Sequence, residues 1–201
     1  MQLYEAGKFK DAAHAFEVQT QSNEHDVAAW NNLGNAYFRA GDRGRAIWAW
    51  SRATREAPRD AASIANLQAA GAVEVLRTRP PLSVRPVEWY LLAALCWWLA
   101  AALIAIAILR KKRELLVWSG VLCLLAAVFL TTGSVADNKR YAVAIETATK
   151  LYGDPTVHSP VVRTVQSGAG LDVLENRGEW VRVRTLTQAE GWVESDAIGL
   201  L

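Results

Sequence analysis

Two long apolar runs constrain this chain more than anything else in it. Residues 87–109 read VEWYLLAALCWWLAAALIAIAIL and residues 115–136 read LLVWSGVLCLLAAVFLTTGSVA; Glu88 is the one charged side chain in the pair. As helices rising about 1.5 Å per residue, each is roughly 33–35 Å long, enough to cross a hydrocarbon core with modest tilt. Between them, Arg110-Lys111-Lys112-Arg113-Glu114 reaches about 17 Å when extended, which suffices to join antiparallel helices packed side by side. The predicted element is a transmembrane helical hairpin: helix 87–109, basic loop 110–114, helix 115–136.

Two crossings return a chain to its starting side, so the segments before and after the hairpin are expected in one compartment. The four adjacent basic residues of the loop favour the cytoplasm, which places both flanking segments on the outer, periplasmic side of a bacterial inner membrane. Arg77, Arg79 and Arg85 before the first helix pull the other way, and a long N-terminal segment crosses only with an export signal, which is not visible here. Trp89, Tyr90 and Trp118 suit interfacial belts, whereas Trp97 and Trp98 fall near mid-bilayer, against the partner helix or lipid. Ala93, Ala94, Ala100, Ala101, Ala102 and Ala105 permit close helix approach. No ionisable residue sits at the centre of either run, which argues against ion or proton transport. Cys96 and Cys123 are the only cysteines; inside apolar runs they act as small hydrophobes, and neither a disulfide scaffold nor a zinc site follows.

Charge is balanced outside the hairpin. The first 79 residues carry ten basic and nine acidic side chains, and residues 137–201 carry seven and nine. Nucleic-acid binding needs Lys and Arg gathered on a face or stripe, and neither flank has one.

The N-terminal 78 residues repeat. Gly7 and Gly41 lie 34 positions apart, as do Leu3 and Tyr37, Tyr4 and Phe38, Ala12 and Ala46, Ala13 and Ile47, and Phe16 and Trp50. The complete unit holds Trp30, Leu33, Gly34, Tyr37, Ala46, Trp50, Ala53 and Pro58, and at these eight signature positions it resembles a tetratricopeptide repeat. Gly34 and Ala46 stand where two antiparallel helices must come close; Gly41-Asp42 supplies the turn, and Pro58 breaks the chain before the next helix. The third unit, residues 61–78, keeps Ile64 and Leu67 in register but has Gln68 at the glycine position. The chain opens in mid-repeat, so in-frame upstream DNA is expected to encode a missing first helix behind an export signal. The resemblance implies an extended peptide ligand in a concave groove, with Asn31, Asn35, Phe38 and Arg39 as candidate contacts: amides for a peptide backbone, Arg39 for a carboxylate.

After a Pro-rich linker at 79–86 and the hairpin, residues 137–201 turn to short Val-, Leu- and Thr-rich segments punctuated by Gly, Pro, Asn and Asp, an all-β pattern. Strands are predicted at 161–165, 171–175, 179–185 and 191–194, with Asn176-Arg177-Gly178 as a hairpin connection. In Trp180-Val181-Arg182-Val183-Arg184 the period of two sends Val181 and Val183 to the core and the other three outward. The strings Gly168 to Glu175, Gly178-Glu179-Trp180-Val181 and Gly191-Trp192-Val193 resemble a bacterial SH3 domain, which implies an SH3-like barrel that binds peptides, cell-wall stems or proteins. Tyr152, Trp180 and Trp192 are the candidate contact aromatics.

No catalytic set is apparent. His14, His25 and His158 are scattered, Glu24-His25-Asp26 reads as a solvated turn rather than a metal site, and a phosphate-binding glycine loop is absent. Neither an enzyme nor a cofactor is expected.

The whole is expected to be a multidomain membrane protein: all-α tetratricopeptide repeats, a transmembrane helical hairpin and an all-β SH3-like barrel. That order resembles the Bat aerotolerance family, specifically its BatE-type members. The resemblance implies an accessory role beside von Willebrand A-domain membrane proteins and a MoxR-type ATPase. A cell-wall binder acting through the SH3 domain on peptidoglycan peptides is the competing expectation.

Overall fold

A computed structural model describes residues 2–72, 75, 86–138 and 140–201, with the side chains of 86 and 135–138 left aside. Residues 79–85 of the expected linker lie outside the described residues, as do Arg77, Arg79 and Arg85. The chain divides into two compact units. One joins residues 1–81 to residues 140–201; the other is the apolar segment 82–139 between them in sequence.

In the first unit, helices α1 (Gln2–Glu5), α2 (Phe9–Ser22), α3 (Val27–Arg39), α4 (Arg43–Glu56) and α5 (Ala61–Ala69) follow one another through short turns. Aspartates begin three of them. The carboxylates of Asp26, Asp42 and Asp60 accept the backbone N–H of Ala29, Arg45 and Ser63 at 3.0, 3.0 and 2.8 Å, each satisfying a donor that the first helical turn leaves free. The Ala29 bond holds the Asp26 carboxyl below the usual carboxylate range. Glycine ends three. Gly7, Gly41 and Gly71 all have φ between +70° and +86°, and just beyond each a backbone bond closes the turn: Lys8 N–H to Leu3 O, Asp42 N–H to Tyr37 O and Ala72 N–H to Leu67 O, all 2.9 Å.

The third unit departs from the 34-residue period for a visible reason. α5 starts in register with α3, but α3 has 13 residues and α5 has 9, so the closing glycine arrives at Gly71, one helical turn early. Trp30, Leu33 and Tyr37 of α3, Ala46, Ile47, Trp50 and Ala53 of α4, Phe16 of α2 and Leu67 of α5 form one buried core. Pro58 follows the end of α4. A Cβ on Gly34 would stand 2.5 Å from the Trp50 indole, closer than any real contact, so the helices meet as they do only because that position is bare.

The C-terminal segment forms an antiparallel sheet of β1 (Tyr141–Ala144), β2 (Ala148–Tyr152), β3 (Val161–Gln166), β4 (Gly170–Arg177), β5 (Trp180–Thr185), β6 (Glu190–Glu194) and β7 (Ile198–Leu200), ordered β3-β2-β6-β5-β4-β1-β7. Leu151, Leu171, Val181, Val183 and Val193 fill its core, with Trp180, Arg182 and Arg184 on the other face of β5. One expectation is corrected. Arg177 pairs with Trp180, so the β4–β5 hairpin turns on Gly178-Glu179 rather than on Asn176-Arg177-Gly178, with Gly178 at φ +77°. Asn176 instead accepts the Gly178 N–H on its side-chain oxygen at 3.0 Å. Strands β1, β2 and β7 were not expected from the sequence.

The second unit is an antiparallel pair, α6 (Pro86–Arg110) and α7 (Glu114–Asn138), 25 residues each. The turn between them passes through Lys111 at φ +53°. Small residues meet along the seam at seven-residue intervals. Ala93, Ala100 and Ala107 are buried on α6, Ser119 and Ala126 on α7, and a Cβ on Gly133 would lie 3.1 Å from Trp89. Seven residues make close to two turns, so each set forms one narrow stripe of the kind that packs antiparallel helices tightly. Ala94, Ala101, Ala102 and Ala105 face outward. Trp97 and Trp98, at 64% and 75% exposure, also point away from the partner helix. Cys96 and Cys123 are free thiols. Only 17% and 11% of the two most apolar stretches is buried; the core helix of a soluble protein buries most of its surface, and these do not.

Candidate binding surfaces

Three surfaces in the first unit gather chemistry worth a ligand. The first lies on α3 and α5. The side-chain oxygens of Asn31 and Asn35 both accept from the Asn66 amide, at 2.9 and 3.1 Å, and Asn35 also accepts the Trp50 indole N–H at 3.2 Å. With their oxygens engaged inward, the Asn31 and Asn35 amides keep N–H donors that no acceptor among the described residues takes, the group that reads a peptide carbonyl. Phe38 is half exposed and rests on the Trp50 ring with centroids 5.5 Å apart, so Asn31, Asn35 and Phe38 are tied together through Trp50 and Asn66. Arg39 is not part of this set: its guanidinium sits 4.7 Å over the Phe9 ring at the start of α2.

The second surface is the outer face of the sheet. Tyr152 and Trp180 meet edge to face with centroids 5.6 Å apart, and both are partly exposed. Trp192 lies opposite Tyr152 on β2 and Arg182 on β5, on the same face, yet it is only 7% exposed because the Arg177 guanidinium lies 4.8 Å over its ring. Glu190 receives Arg184 at 2.7 and 2.9 Å and Arg182 at 2.9 Å. The Arg184 hydrogen bonds hold its carboxyl below the usual range, with Arg182 adding to them. Tyr152 and Trp180 therefore form the open aromatic part of the face, and Trp192 its covered base.

The third surface was invisible in the sequence: a seam between α4 and the sheet. The Arg43 guanidinium donates to Ser167 O at 2.7 Å and to Ala70 O at 2.8 and 3.3 Å, bridging the end of α5 to the β3–β4 turn. The Trp48 indole N–H donates to Leu200 O at 3.0 Å, on the free edge of the terminal strand β7. Three glycines let the surfaces touch. A Cβ on Gly44 would stand 2.1 Å from Ile145 O, on Gly168 2.2 Å from Ile47 Cδ1, and on Gly199 2.2 Å from Trp48 Cδ1. Val143 of β1 is fully buried in the helical core, and Leu201 packs against it. The helical repeats and the sheet thus share apolar interior as well as hydrogen bonds.

Glu24, His25 and Asp26 go three ways: Glu24 faces Arg52 at 3.7 Å, His25 Nδ1 lies 2.9 Å from Glu56, and Asp26 caps α3. Among the described residues no three His, Cys, Asp or Glu side chains converge as metal ligands.

Comparison with known families agrees with the geometry. A family model for the tetratricopeptide repeat matches residues 3–71, and one for the bacterial SH3 domain matches residues 147–199. No curated protein matches the chain. The chain therefore joins a segment matching tetratricopeptide repeats and one matching a bacterial SH3 domain, both of kinds that typically serve in binding, through a pair of helices long and apolar enough to cross a membrane.

Proposed function

We propose that the protein is a non-enzymatic, membrane-anchored adaptor whose repeats and SH3 domain act as one binding body on a single side of the bilayer. The seam is the observation that carries this reading. Two modules that share a core and two hydrogen-bonded bridges must occupy the same compartment, and a hairpin of two membrane-length helices is what returns a chain to its starting side. The outward-facing apolar surface of α6 and α7, Trp97 and Trp98 included, supports lipid as its surroundings. Arg110, Lys111, Lys112 and Arg113 in the turn support a cytoplasmic loop and hence a periplasmic binding body.

On the finer reading, the order of modules supports a BatE-type role in a Bat aerotolerance complex, with von Willebrand A-domain membrane proteins and a MoxR-type ATPase system as partners. The domain limits that go with it are repeats to residue 78, hairpin 87–136 and SH3 domain 137–201. Protease added to intact spheroplasts tests the topology: both modules are expected to be digested together while the hairpin survives, and digestion of one alone refutes the reading. Sedimentation of the detergent-solubilised full chain with isolated peptidoglycan tests the function. The expected result is no retention, and retention abolished by Trp180→Ala would replace the adaptor with a cell-wall binder.

A further inference from the structure

A cleft of about 1320 Å³ opens beside the seam, walled on one side by α2 and the start of α4 and on the other by the β1–β2 turn and the short helical turn Ser195–Ala197. Neither module makes it alone. Its volume exceeds the roughly 300–1,000 Å³ of a small-molecule pocket, and Tyr37 is its one aromatic, so it lacks the apolar lining such pockets use.

Its charge is divided by wall. On the helical side Lys10, Arg43 and Arg45 outnumber the carboxylates of Glu17 and Asp42; Arg43 is spent on the Ser167 and Ala70 carbonyls, Arg45 pairs with Asp42 at 3.4 Å and Glu17 accepts the Tyr37 hydroxyl, so Lys10 is the cation this wall offers to a ligand. On the sheet side stand Glu146 and Asp196, both exposed. Among the described residues Lys10, Glu146 and Asp196 make no ion pair. A polyanion such as nucleic acid is repelled by one wall and a polycation by the other. A chain carrying both signs satisfies both.

Resting on the adaptor reading, we infer that this composite cleft holds an extended polypeptide segment of a partner protein bearing acidic and basic side chains together, acids toward Lys10 and bases toward Glu146 and Asp196. The segment engages both modules at once, so the cleft exists only while the seam is closed.

The full chain in neutral-lipid nanodiscs tests this by fluorescence anisotropy with three labelled hexapeptides: alternating Glu-Lys, all-Glu and all-Lys. The alternating peptide is expected to bind about tenfold tighter than either homopolymer, and Lys10→Glu and Asp196→Lys each to weaken it about tenfold while Lys10→Arg and Asp196→Glu retain it. Absent binding of the alternating peptide, equal binding of a homopolymer, or indifference to both reversals overturns the proposal. So does a finding that the reversals make the seam protease-sensitive without a peptide effect, since the charges would then serve only to draw the walls together. Failure here with both modules still digested together in spheroplasts removes the cleft and leaves the adaptor standing.

Discussion

At Gly34 a single hydrogen atom decides how closely two helices approach. A methyl group there would meet the Trp50 indole at 2.5 Å, and Trp50 cannot swing aside without leaving Asn35, whose oxygen takes its N–H. Gly34→Ala is therefore expected to destabilise the repeats by about 1–3 kcal/mol despite alanine's better helix propensity, read as a fall in thermal midpoint of the full chain. Tyr37 makes a pH argument. Burial, and then the hydrogen bond and charge of Glu17, push its hydroxyl above its ordinary value; burial and Asp172 raise Tyr141 as well. A phenol whose folded value is raised gives stability that is intact below its unfolded value of about 10 and is lost as pH climbs above it. Helical ellipticity at fixed denaturant is expected to be flat from pH 7 to 9 and to fall steeply above 10, with Tyr37→Phe shallower there. The groove residues divide by what a sequence can report. Asn31 and Asn35 could be placed on α3 from the repeat period, but Asn66 aligns with Asn32, and its bonds to the other two arise from packing between neighbouring helices. Arg39 turned to Phe9 for the same kind of reason.

Among the elements, α6 and α7 were legible because twenty and more uncharged, mostly apolar residues in a row have few other fates. Their seam was less so. Of the six alanines that looked equivalent in α6 only Ala93 and Ala100 face the partner, and Ala107, not among the six, continues their seven-residue stripe. Ala100→Leu is accordingly expected to cost the hairpin about 1–3 kcal/mol, while Ala101→Leu, which adds the same atoms to the outward face, stays within about 0.5 kcal/mol. Heat denaturation of the full chain in detergent separates them; equal effects would mean that the stripe is not the contact. In the sheet, β4, β5 and β6 carried alternation and turn glycines. Strand β1 carried neither, because both of its faces are covered: Val143 belongs to the helical core and Ala142 and Ala144 to the sheet's own. A strand buried on two sides shows no polar alternation, and four residues reading Tyr-Ala-Val-Ala are too few to mark it otherwise. β7 was hidden by brevity and by Gly199, bare for the sake of Trp48.

For the whole molecule the decisive contacts join residues that no local pattern connects. Arg43 reaches Ser167 and Trp48 reaches Leu200 across 124 and 152 positions, with two candidate membrane crossings between them in sequence. Neither Arg43 nor Trp48 is a signature residue of the repeat, so a consensus gave no reason to single them out. Their effect is to couple two modules that would otherwise unfold separately. Trp48 donates to an edge-strand carbonyl, fits against Gly199 and braces Trp30 edge to face at 5.3 Å. Trp48→Ala removes all three contacts and opens a void in the seam, at an expected cost of about 3–5 kcal/mol. Removing Arg43 as well leaves Ser167 O without its bridge. If the seam unites the modules, the intact chain shows one cooperative transition for repeats and sheet together, and Arg43→Ala with Trp48→Ala splits it into two. Hydrogen exchange on the full chain in detergent reads the outcome by segment: amides of β1 and β7 should lose protection in the double variant while β4 and β5, sealed by their own core, keep theirs. Uniform loss across the sheet would instead mean that the SH3 domain depends on the repeats to fold, and unchanged protection everywhere would mean that the seam contributes nothing to holding them together.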